Sequence, residues 1–280
     1  MSKIKKELKL TFGLKYIFIS VLCMLILFMT GEAYTDNDLK SHSIGELLLL
    51  GCKDIYRTNR TSSLYIFDVA FSNWVFVFVP IFSCIGFIIA FHSERESGYI
   101  RNVLMREKNI SYVILKAVSC ALYSGTVCVL SYAIFALICK MSLQPISRYL
   151  NDANIKMLYG TISSHYVLRL LGAFLYGMYC GALTFLVMAV FNDKYILLTF
   201  PIMINYLYDM TITKMQKKAL GSQNHKFFEK IEIFNMKSLL TLRNNKNWWC
   251  TCALFVLVYL IAIVIMIINI KTRRDSGDYS

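Results

Sequence analysis

The chain has 280 residues, 57% of them hydrophobic, 14% aromatic and 17% charged, with a mean hydropathy of +0.53 and a formal charge of +13. Soluble domains carry about 25% charged residues, and a globule this apolar lacks the polar groups to face water, so that class is excluded. With only 3 prolines and 13 glycines, collagen-like and Pro/Gly-rich disordered chains are excluded too.

About 20 apolar residues are needed to cross a hydrocarbon core as a helix, and six segments qualify. In chain order they are Tyr16–Thr30, extended backwards by Thr11–Leu14, then Phe71–Phe91, Ser111–Cys139, Tyr166–Phe191, Tyr195–Tyr208 and Trp248–Ile270. The fifth is short and carries Pro201, so a span broken there, or one leading into a re-entrant segment, is an alternative. The expected fold is an all-α integral membrane protein of six transmembrane helices, one domain over residues 1–280. A secretory signal is a poor reading of the start. Gly31-Glu32-Ala33 is an unfavourable cleavage site and five more spans follow.

Residues 1–15 form an expected interfacial helix: Ile4, Leu8 and Phe12 recur every four positions among Lys3, Lys5, Lys6 and Lys9. Basic residues are denser on the side that would hold both termini, which places the N- and C-termini in the cytoplasm. Anionic lipid and this bias account for most of the positive charge. No basic stripe interleaved with aromatics points to nucleic acid.

The loop over residues 92–110 carries Tyr99, Ile100, Val103 and Leu104 on one stripe of a short helix, with Arg101, Arg106, Glu107 and Lys108 on other faces. Gly98 lets the chain break between span and helix. Such an element between two spans suits docking. The segment over 209–247, read as the outer loop before the last span, has a second amphipathic stretch: Phe227, Phe228, Ile231, Phe234 and Leu239 share a face.

Small residues recur at Ala173, Gly177 and Gly181, a flat stripe that admits another helix backbone. Packing inside the subunit is its simpler reading and packing between subunits the other. The 9 cysteines include no C-x-x-C pair, and most fall in apolar runs as small buried hydrophobes. Asp68, Arg169 and Asp209 fall near the outer ends of spans, within reach of water. Without charges deeper in the membrane, a proton- or sodium-coupled carrier is disfavoured. No G-x-x-x-x-G-K-[ST] occurs, so ATP is not cradled by this chain. His92, Glu94 and Glu96 form the one enzymatic suggestion, a metal site at the membrane boundary; His42, His165 and His225 are expected outside the bilayer.

The run Glu94-Arg95-Glu96-Ser97-Gly98-Tyr99-Ile100-Arg101-Asn102-Val103-Leu104 resembles the E-R-E-x-G-[TS]-[LI]-x-x-L loop of ABC-2 type (type V, exporter-like) ABC transporter permeases, with Lys116 matching the lysine that opens span three. Where that family continues with a Pro-[LIV]-[ST]-R type turn, this chain has Arg106-Glu107-Lys108-Asn109-Ile110-Ser111. The resemblance implies a multi-pass permease in a bacterial cell membrane, served by two copies of a separate ATP-binding subunit that holds ATP and Mg, and by a second permease that is identical or homologous. It implies no cofactor and no catalytic residue in this chain. The 92–110 loop would be the coupling helix, with Glu94, Arg95, Glu96, Gly98, Tyr99, Ile100, Arg101 and Leu104 meeting the ATPase. Glu94, Glu96 and Arg101 would give ion pairs, and Tyr99, Ile100 and Leu104 would fill its groove. Cargo would be amphipathic or apolar: a peptide, drug or lipid-like molecule. The alternatives are a non-transporting sensor or immunity protein and a metalloenzyme using His92, Glu94 and Glu96.

Overall fold

The computed structural model describes residues 13–35, 41–50, 61–71, 74–99, 109–221, 234–241 and 248–276. The helices are α1 (Leu14–Met29), α2 (Ile44–Leu50), α3 (Ser63–Val69), α4 (Val75–Glu96), α5 (Asn109–Ser142), α6 (Asp152–Tyr159), α7 (Ile162–Val190), α8 (Lys194–Gly221) and α9 (Trp248–Ser276). Strands β1 (Glu32–Thr35) and β2 (Ser41–Ser43) pair antiparallel, and short 3-10 turns lie at Ile146–Arg148 and Met236–Thr241. The chain is therefore a helical, multi-pass membrane protein. Among the described residues five helices, α4, α5, α7, α8 and α9, are long and apolar enough to cross a membrane.

The first expected span, Tyr16–Thr30, corresponds to α1, which over the described residues is an apolar helix of 16 residues. It ends where expected: Thr30 caps it, its hydroxyl donating to the Leu27 carbonyl at 2.7 Å, and Gly31 then leads into β1. The hairpin returns the chain to α2. There Ser43 and Glu46 cap one another: Glu46 N donates to Ser43 Oγ at 3.1 Å and Ser43 N to Glu46 Oε2 at 3.2 Å. The interfacial helix expected over residues 1–15 lies almost wholly outside the described residues.

The long helices alternate in direction. Gly31, just past α1, lies against Val75 at the start of α4. Glu94 near the end of α4 meets Lys116 in α5, and His165 near the start of α7 meets Asp68 in α3. The bundle thus has a Glu94 end and an Asp68 end, and the first and last described helices begin and finish at the Glu94 end. The most extensive helix pair is α5 with α7. Among the five long helices α7 is the most buried, while α8 and α9 leave most of their apolar surface outward.

Two prolines sit inside spans, and each removes one backbone donor. Pro80 in α4 leaves the carbonyl of Phe76, four residues earlier, without its helical partner. In hydrocarbon that acceptor needs another donor. Asn205 Nδ2 from α8 approaches it at 3.3 Å and Tyr176 OH from α7 at 3.4 Å. A broken helical bond in α4 thereby becomes a polar knot joining three spans, with the Phe76 and Tyr176 rings stacked at 4.7 Å. Pro201 does not break α8, which runs unbroken from Lys194 to Gly221. The break expected as an alternative at this proline does not occur.

The knot has a measurable consequence. Asn205→Leu is expected to cost about 1 kcal/mol by removing one of the two donors to a buried carbonyl, the Tyr176 hydroxyl being left to hold it alone. In the Pro80→Ala background, where the helical donor returns, the same substitution should cost clearly less. Denaturant titration of the four proteins checks this double-mutant cycle.

Candidate functional site

The Glu94 end is built from the last turn of α4. Ser97 caps the helix, its N–H reaching the Ser93 carbonyl at 3.0 Å. Gly98 follows at φ +67°, a left-handed value that suits glycine, and its N–H reaches the Arg95 carbonyl at 3.1 Å. The helix therefore ends with every nearby side chain set at a defined height.

Glu94 turns inward. Lys116 Nζ from the second turn of α5 lies 2.8 Å from Glu94 Oε1 and 2.6 Å from Oε2. The lysine side chain is 1% exposed and the glutamate 12%, so both charges have left bulk water and depend on one another. Arg95 turns the other way, to the end of α7. Its guanidinium donates to the carbonyls of Met188 at 2.9 Å and Phe191 at 3.1 Å, and to Asn192 Oδ1 at 2.9 Å. It also lies 4.6 Å from the centre of the Phe91 ring. A cation on the open carbonyls of a helix C-terminus is favoured by both hydrogen bonding and the helix dipole. Asn269 of α9 takes the neighbouring Ala189 carbonyl. Two consecutive residues of α4 thus fasten the ends of α5 and α7, and α9 closes the same rim.

Of the residues singled out by the motif, Glu94, Arg95, Glu96, Gly98 and Tyr99 are described; Ile100, Arg101 and Leu104 lie outside the described residues. Glu94 and Arg95, expected to face a partner, make their contacts within the chain. Glu96 is the outward member, 70% exposed and 3.5 Å from His92 Nδ1. That geometry divides the suggested His92, Glu94 and Glu96 trio, because Glu94 belongs to Lys116. Among the described residues no three His, Cys, Asp or Glu side chains converge as metal ligands.

The small-residue stripe packs inside the subunit. Ala173 is fully buried. A Cβ on Gly177 would stand 2.7 Å from the Ser124 carbonyl oxygen and 2.9 Å from Gly125 Cα. One on Gly181 would stand against the Ser124 hydroxyl and 2.7 Å from Tyr259 OH, which itself donates to the Met178 carbonyl at 3.0 Å. The stripe lets α5 and α9 close on α7.

The Asp68 end carries a second charged cluster that the sequence reading left in water. Asp68 Oδ1 lies 2.8 Å from His165 Nε2 and 3.0 Å from Arg169 Nε, and Arg169 Nη1 donates to the Leu240 carbonyl at 3.0 Å. His165, expected outside the bilayer, is buried against the Tyr159 ring. Lys237 pairs with Asp209 at 2.7 Å and stands 4.4 Å over the Phe76 ring. The Leu239 carbonyl rests where a Cβ of Gly172 would be. Residues 234–241 are thereby fastened onto the bundle rather than spread on a surface; the rest of the expected amphipathic stretch, including Phe227, Phe228 and Ile231, lies outside the described residues.

His165, Asn205 and Pro80 were not legible as partners, since each acts on a residue about 100 positions away or on a backbone atom. One signal existed: a proline inside an apolar span announces a stranded carbonyl, and a buried asparagine on another span is a natural donor. Comparison of the chain with protein-family models, with curated proteins and with solved structures gives no match.

Proposed function

We propose that this chain is the membrane-spanning permease subunit of an ATP-driven exporter of the ABC-2 class. The observation that carries the reading is the double clasp at the Glu94 end. A partner pushing on the chain at Gly98 acts directly on the end of α4. Glu94 links it to α5 through Lys116, and Arg95 links it to α7. Force applied there reaches three spans together, which is what a pump powered from outside its own chain requires.

The E-R-E motif supports the same assignment, and the lack of a phosphate-binding loop leaves ATP and Mg to a separate subunit. Two such subunits would serve a pair of permeases, this chain with an identical or homologous one, in a bacterial cytoplasmic membrane. The Glu94 end would be cytoplasmic, so both termini would be cytoplasmic and the Asp68 end external. Tyr99, Ile100 and Leu104 would seat in the ATPase groove, with Glu96 and Arg101 supplying charge at its rim. Glu94 and Arg95 would act inside the permease, holding the coupling element to the spans. Spans rich in Phe, Tyr, Leu and Met suit an amphipathic or apolar cargo.

The test is purification in mild detergent after expression with the native neighbouring genes, followed by a vanadate-inhibition assay. A stoichiometric ATP-binding subunit with orthovanadate-sensitive turnover is expected. Glu96→Lys with Leu104→Asp should weaken its association by about thirtyfold, the loss typical of an interface hot spot, while membrane insertion and unfolding temperature hold. A chain that purifies alone, or an association indifferent to those substitutions, overturns the reading in favour of a sensor or immunity protein.

A further inference from the structure

Along α8 the positions 200, 203, 207, 210, 214 and 217 lie on one stripe, spaced by alternating threes and fours, and 218 joins it four residues after 214. The first four are Phe200, Met203, Leu207 and Met210, all exposed large apolar side chains on a helix long enough to span. The next are Lys214, Lys217 and Lys218, also exposed. Ile212, on the opposite side of the helix, is buried, so this end of α8 still packs on the protein while its lysines look outward. The stripe changes from lipid-like to cationic within one turn.

The distances suit a headgroup layer. From Met210 to Lys214 the helix rises about 6 Å, and to Lys218 about 12 Å. Headgroups occupy about 5–8 Å beyond each face of the hydrocarbon, and a lysine stem can bend its ammonium several ångströms back towards the membrane. Trp248 and Trp249 open α9 at the same Asp68 end, with Trp249 69% exposed, and Trp74 precedes α4 there, 40% exposed. Indole rings collect at the membrane–water boundary, and these three lie at the same end of the bundle as the lysine stripe. Residues 210–221 contain no Asp or Glu, and among the described residues no carboxylate pairs with Lys214, Lys217 or Lys218.

From this we infer that Lys214, Lys217 and Lys218 form a binding site for the phosphate of an anionic phospholipid in the leaflet at the Asp68 end, its acyl chains lying along Phe200, Met203, Leu207 and Met210. The lipid's two chemistries match the two halves of the stripe. Three cations meet the headgroup, and an apolar ridge of about three turns meets the chains. The inference is independent of the permease assignment.

The test uses the full chain in nanodiscs of phosphatidylcholine with and without phosphatidylglycerol, read by native mass spectrometry for retained phosphatidylglycerol and by thermal unfolding. Substituting Lys214→Gln, Lys217→Gln and Lys218→Gln together should reduce phosphatidylglycerol retention by about fivefold per lysine removed, the weight of one cation at an anionic surface. The unfolding temperature in phosphatidylcholine alone should not move, which separates lost binding from lost folding. Replacing the same lysines by arginine should keep the retention. Inorganic phosphate should not substitute for the lipid, because it lacks the chains that cover the apolar ridge. Unchanged retention in the glutamine variant, loss in the arginine variant, or equal stabilisation by inorganic phosphate would each overturn the inference.

Discussion

Replacing Lys116 by methionine is expected to destabilise the protein by about 3–5 kcal/mol, the cost of leaving one member of a buried ion pair without the other. Methionine fills the volume of the lysine stem, so packing changes little and the effect isolates the charge. With Lys116 gone, Glu94 keeps a carboxylate that is 12% exposed and has lost an ammonium at 2.6–2.8 Å. Glu94→Gln is expected to be comparably harmful, since it takes the carboxylate charge away from a lysine that is only 1% exposed. The double variant Glu94→Gln with Lys116→Met should recover most of the stability, because an uncharged pair of similar shape carries no desolvation cost. Equilibrium unfolding of the four proteins in detergent measures this cycle. Additive losses in the double variant would show that the two charges do not act on one another. If the chain works as proposed, the double variant should also fold and bind its ATPase yet turn over slowly, since α4 would no longer hold α5 firmly.

The second large effect is expected at Gly177. Gly177→Leu should cost about 3 kcal/mol and Gly177→Ala about 1 kcal/mol, as overpacking does in a close interface. The obstacle is backbone: the new Cβ meets the Ser124 carbonyl oxygen at 2.7 Å and Gly125 Cα at 2.9 Å. A flexible side chain could swing aside, but a neighbouring helix must move bodily, and α5 with α7 is the most extensive contact in the bundle. In a membrane this contact cannot be replaced by hydrophobic attraction, because lipid is as apolar as the helix; close packing is the main source of adhesion. The readouts are the unfolding midpoint and cysteine cross-linking between α5 and α7. An unfolding midpoint unchanged by leucine would mean that the two helices do not approach through this stripe.

How much of this was legible beforehand differs by residue. The five long spans were visible because hydropathy is a local property and the bilayer behaves as a uniform solvent of known thickness. Their ends shifted by a few residues at α4, α5, α7 and α9, and substantially at α8, where an expected stop at Tyr208 becomes a helix reaching Gly221. The Tyr208 hydroxyl is instead used on the Phe234 carbonyl, and Asp209 on Lys237. Polar residues that looked like the end of a span are contacts made by a continuing one. The E-R-E run stands out in the sequence as a docking element, but the direction of its side chains was not in the sequence. Glu94 finds a partner 22 positions away and Arg95 finds carbonyls more than 90 positions away.

By itself, the sequence determined that this chain crosses a membrane several times as helices, that Ala173, Gly177 and Gly181 form a surface for close approach, and that a charged, glycine-broken turn follows α4. These depend on side-chain type and short spacing, which linear order contains. The tertiary structure decided that the Phe76 carbonyl stranded by Pro80 is met by Asn205 and Tyr176, that Asp68 joins His165 and Arg169, and that Glu94 faces Lys116. Each depends on which faces of distant helices meet. In a medium that punishes every unpaired polar group, that choice is made by the need to pair them all at once.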